Sequence, residues 1–75
     1  MSEKVEDSRR ERFKRLGTQR TNGILQKLKI LGNCSNRSAY EYTEEEVNKI
    51  FSEIERKVRE VKGKFHFPKE RVFKL

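Results

Sequence analysis

The chain has 75 residues, 41% of them charged and 32% hydrophobic, with a formal net charge of +7. That length allows one domain at most and excludes the Rossmann, TIM-barrel and kinase architectures, which need well over a hundred residues. No run of about 18 apolar residues offers a membrane span, and the single cysteine, Cys34, can form neither an internal disulfide nor a zinc site by itself.

Residues Met1 to Arg10 are charged and lack an apolar h-region, so no secretory signal is expected and a cytoplasmic location follows. Residues 1–8 read as a disordered, frayed N-terminal arm. Ser8 ends it as an N-cap, with Glu11 three residues on. A first helix is predicted from about Arg9 to Leu31. At 100° per residue, Phe13, Ile24, Leu28 and Leu31 fall within about 60° of one another, with Leu16 alongside. Gly17 and Arg20 interrupt that stripe. Gly17 and Gly23 each lower helix propensity by roughly 1 kcal/mol relative to Ala, so a kink is expected between them. Arg20 must be paired or sit at a rim, because a buried lone guanidinium is very costly. Gly32 stands where a helix-ending glycine belongs.

The stretch from Gly32 to Tyr42 has turn chemistry in its first half. A second helix comes next, from about Thr43 to Lys62. Thr43 and Glu46 form a capping-box pair, and Tyr42 and Val47 have the spacing of a hydrophobic staple. Val47, Ile50, Phe51, Ile54, Val58 and Val61 then recur as one unbroken stripe. Glu44, Glu45 and Glu46 fill the first turn, and Arg59 and Lys62 lie near the end, both suited to the helix dipole. Glu45–Lys49, Glu53–Lys57 and Glu55–Arg59 are spaced for ion pairs. Gly63 ends the helix. In residues 64–75, Phe65, Phe67 and Phe73 alternate with polar residues around Pro68, as a short hairpin or an extended tail. The expected fold is all-α: an antiparallel two-helix hairpin over residues 9–63 with a short extended C-terminal segment. Its apolar core is small, and a chain of this size gains from a homodimer or from docking on a larger partner.

Charge is unevenly placed. Residues 8–31 hold eight basic side chains against Glu11 alone, a surplus equal to the whole chain's +7. Five of the eight are Arg, the better residue for bidentate phosphate contact. This pattern points to DNA or RNA, through Arg9, Arg10, Arg12, Lys14, Arg15 and Lys27, with Arg37 from the loop. An acidic protein surface would attract the same charges, and a solvated helix needs no partner at all. The charges also lie on several sides of the helix. Asn33, Asn36 and Tyr40 are candidate loop contacts to phosphate or bases, although turn composition accounts for the two asparagines equally well.

Several chemistries find no support. Cys34 has only His66, in the tail, as a base, and a catalytic thiol needs more than that. Residues Gly17 to Gly23 lack the ending of a P-loop. No metal-ligand spacing occurs, so no cofactor and no enzymatic activity are expected.

The block Arg15-Leu16, Arg20, Asn22, Leu25, Leu28, Leu31-Gly32-Asn33, Asn36-Arg37-Ser38, Tyr40-Glu41-Tyr42-Thr43, Val47 and Lys49-Ile50-Phe51 resembles a group of small uncharacterised bacterial proteins, some in mobile or phage-like regions. The resemblance covers residues 12 to 65, and the loop from Gly32-Asn33 to Tyr42-Thr43 is its most specific part. It implies an accessory or regulatory role and carries over no catalytic residue.

Overall fold

The structure is a computed structural model that describes residues 8–67, 73 and 75. Among these residues it is helical, with no strand: α1 spans Arg9–Gly32, a 3-10 turn spans Asn33–Ser35, and α2 spans Glu44–Lys62. The chain divides into two units, residues 1–41 and 42–75. The expectations of a frayed arm over residues 1–7 and of a hairpin at Pro68 fall outside the described residues.

In the first unit, Ser8 caps α1. Its Oγ accepts the Glu11 N–H at 3.0 Å, and its carbonyl accepts the Arg12 N–H at 2.9 Å. The hydroxyl thereby satisfies one of the donors that every helix start leaves unpaired, and the carbonyl takes the first bond of the helix itself. The helix is unbroken through Gly17 and Gly23. At Gly17 the Phe13 ring lies close, so that a methyl group there would sit 3.6 Å from Phe13 Cζ. At Gly23 a methyl group would meet nothing within 4 Å.

The end of α1 corrects the sequence expectation. Gly32 is the last helical residue rather than a left-handed stop, and no glycine among the described residues has positive φ. The chain instead tightens into the 3-10 turn, where the Asn33 N–H reaches the carbonyls of Ile30 and Leu31. A right-handed 3-10 turn satisfies terminal carbonyls without needing a glycine.

Asn36 organises the next turn. Its Oδ1 accepts the Ser38 N–H at 3.0 Å, and its carbonyl accepts the N–H groups of Ala39 and Tyr40 at 3.0 and 2.9 Å. A side chain bonding two residues ahead is an Asx turn, which replaces helix bonds with local ones.

In the second unit, α2 opens on a complete capping box. The Thr43 Oγ1 accepts the Glu46 N–H at 3.1 Å, and the Glu46 Oε1 accepts the Thr43 N–H at 2.9 Å. Tyr42 and Val47 are both half-buried, as the staple spacing predicts. At the far end Gly63 is right-handed, with φ −67°, and its N–H reaches the carbonyls of Arg59 and Val61. The Glu53–Lys57 pair does not form. Glu53 takes Arg56 at 2.7 Å and Lys57 takes Glu60 at 3.1 Å, each three residues apart. Both spacings bring long side chains together on a helix surface, so sequence alone does not choose between them. All four side chains are largely exposed, which keeps these pairs weak.

None of the described residues is buried. Leu16, Gly17, Leu31, Tyr42, Val47 and Ile54 are half-buried. The stripe residues otherwise stay open, Ile24 at 59% and Val58 at 56% exposure.

Thr43→Ala removes the hydroxyl of the capping box. It is expected to weaken α2 by about 0.5–2 kcal/mol, read as faster amide exchange at Glu46. Gly23→Ala is expected to stabilise α1 by about 1 kcal/mol, since its new methyl meets open space. Higher helical ellipticity and slower exchange across residues 20–28 would report it.

Candidate nucleic-acid interface

The basic surplus sits mainly on the first two turns of α1. Arg9, Arg10, Arg12, Lys14 and Arg15 fall within seven residues, with Glu11 as the one acid among them. All are exposed. The start of a helix already carries the positive end of its dipole, so cations there repel it. These charges therefore weaken the helix start locally, and a bound anion would relieve that strain.

The seven expected basic contacts do not form a single surface. Each residue advances 100° around the axis, so consecutive arginines point apart. Arg10 and Lys14, one turn apart, are brought together. They line an open hollow of about 400 Å³ with Phe13, Gly17, Thr18, Thr21 and Asn22. Arg9, Arg12 and Arg15 point to other sides of the helix. Lys27 shares the direction of Arg9 but lies ~27 Å further along the axis. Arg37 stands in the turn after Asn36. Arg12, Arg15 and Arg37 each already engage a neighbour within the chain.

The hollow has a definite chemistry. Two cations flank it, Phe13 offers a ring that is 55% exposed, and Thr18, Thr21 and Asn22 add hydroxyls and an amide. Cations suit phosphates, an open ring suits a base face, and an amide suits a base edge. The Phe13 ring lies over Gly17, at a distance that would put it in ordinary contact with a methyl group there. Phe13, Thr18, Thr21 and Asn22 were absent from the sequence-derived contacts. Their signal is present in the spacing, since Arg10, Phe13, Lys14, Gly17, Thr18, Thr21 and Asn22 stand three and four apart. A search for charge alone passes over it.

The loop candidates fare differently from one another. Asn36 uses its Oδ1 on the Ser38 N–H, a structural bond. Asn33 closes the end of α1 through its own N–H. Tyr40 is 53% exposed. Arg20 is exposed as well. Cys34 is an exposed free thiol.

Among the described residues no cluster of three or more His, Cys, Asp or Glu side chains could hold a metal. No helix among them is long and apolar enough to cross a membrane. No protein-family model, curated protein or solved structure matches this chain.

Proposed function

We propose that this is a small, non-enzymatic nucleic-acid-binding protein that lays the first half of α1 against phosphates. The grouping that carries the reading is Arg10 and Lys14 beside the open Phe13 ring, with Thr18, Thr21 and Asn22 on the same face. Cations and an aromatic face on one surface suit a strand with unpaired bases, because the ring stacks while the cations track the backbone. Arg9, Arg12 and Arg15 surround the same two turns and add to the field that attracts a polyanion. Lys27, Arg37 and Tyr40 would extend the contact. The role fits an accessory or regulatory protein, as the resemblance implies.

A second reading has its own observation. The apolar stripe of α2 is largely exposed, Ile50, Phe51, Val58 and Val61 included, and Phe65, Phe67 and Phe73 are exposed after it. An adaptor that docks through these side chains would bury them. The antiparallel hairpin with α1, expected from the two stripes, is the cover available within one chain.

Titration of a labelled oligonucleotide at a series of salt concentrations tests the first reading. Each phosphate contact adds about −0.7 to the log–log slope on a single strand and about −0.9 on a duplex. Replacing Arg10 and Lys14 with Glu should flatten the single-strand slope by at least ~1.4. Phe13→Ala should weaken binding by about 1–3 kcal/mol and leave the slope alone. A flat salt response, or no binding at low salt, would sink the proposal. Binding to acidic polypeptides but not to oligonucleotides would replace it with a protein partner.

A further inference from the structure

The apolar face of α2 has a second property, independent of how α1 is read. Val47, Ile50, Phe51, Ile54, Val58 and Val61 occupy about 100° of the helix circumference without a polar interruption. The stripe runs ~21 Å from Val47 to Val61, and its midpoint is Ile54. The two end turns of the same helix differ in charge. Its first turn carries Glu44, Glu45 and Glu46, and its last turn carries Arg59 and Lys62. Between them, Glu53 and Arg56 neutralise each other at 2.7 Å.

We propose that this face is covered by the α2 of a second copy of the chain, running antiparallel and crossing at Ile54. Two arguments select that occupant. First, Glu44 and Lys62 lie on the same flank of the stripe, about 70° from its centre, and an antiparallel pair sets Glu44 of one copy beside Lys62 of the other, at both ends at once. A parallel pair sets glutamate against glutamate and cation against cation. Helix dipoles also oppose one another only in the antiparallel arrangement. A two-fold axis through Ile54 makes the contact self-complementary and closed.

Second, α1 is the poorer cover. An antiparallel hairpin would match Lys27 and Lys29 with Glu44–Glu46 near the loop. Its far end would place Lys14 beside Lys62, a like-charge meeting. Arg20 and Gly17 would also interrupt the apolar seam on the α1 side. A second α2 brings an unbroken stripe and opposite charge at each end.

Cross-linking of the full chain in a Cys34→Ser background tests this, with a thiol-to-thiol reagent much shorter than ~21 Å. Helices packed face to face lie about 8–10 Å apart. Ile54→Cys should cross-link to its own copy. Val47→Cys alone should not, because the two equivalent positions are then ~21 Å apart. A mixture of Val47→Cys and Val61→Cys chains should cross-link between the two variants. Self-linking of Val47→Cys would mean a parallel pair and would overturn the proposal. No linking in any combination, together with a monomer by sedimentation up to about 1 mM, would overturn it too, leaving the hairpin as the cover.

Ile54→Asp provides the second readout. It should shift sedimentation to monomer and remove the concentration dependence of helical ellipticity. A variant that stays dimeric would move the interface off α2. Oligonucleotide binding by that monomer would show the reading of α1 standing or failing by itself.

Discussion

Hydrogen bonds made within a few residues of one another hold the described structure. With no described side chain buried, the helices rest on their own backbone ladders and on how well their ends are closed. Thr43 and Glu46 close the start of α2 from both directions, at 3.1 and 2.9 Å. Ser8 closes the start of α1 with one hydroxyl. At 24 and 19 residues, both helices exceed the length at which isolated helices become marginal in water. Length and capping thus specify the helices before any tertiary contact does. Much of a helix's stability in proteins nonetheless comes from covering its apolar face, and α2 has such a face in full.

The two helices differ in how consistently their residues favour the helix. On α1, glycine and arginine break the apolar stripe, and cations crowd the start against the dipole. Each of these features weakens a helix meant only as scaffolding, and each suits one that meets an anion. On α2, acidic residues open the helix and basic residues close it, in agreement with its dipole. Its stripe has no defect. Local propensity, capping and patterning agree along α2, which marks a segment specified for one structure. Along α1 they conflict, and such conflicts concentrate where a chain does work.

What could be read from the sequence depended on range. Ser8 and the Thr43–Glu46 box were legible because a cap is decided by residues three apart. The helix starts came from them to within a residue. The Tyr42–Val47 staple was legible for the same reason. The end of α1 was not, because Gly32 admits a left-handed stop and a right-handed continuation alike, and the 3-10 turn at Asn33 satisfies the carbonyls as well. The partner of Glu53 was hidden by degeneracy, with Arg56 and Lys57 both in reach. For the interface, counting charge found Arg10 and Lys14 but scattered them among five others. Only their placement on the helix face, beside Phe13 and Thr18, turns them into a surface. How the apolar stripes are covered depends on contacts distant in sequence, which periodicity does not encode.

The Asx turn at Asn36 separates the two helices along the chain. It is closed by its own residues, through the bonds that Asn36 accepts from Ser38, Ala39 and Tyr40. The basic residues of α1 are exposed and point to several sides, so each can be exchanged singly. The apolar residues of α2 share one face, so a polar residue at Ile54 interrupts the whole stripe. The turn at Asn36 thus stands between a helix whose charges act one by one and a helix whose apolar residues act as a set.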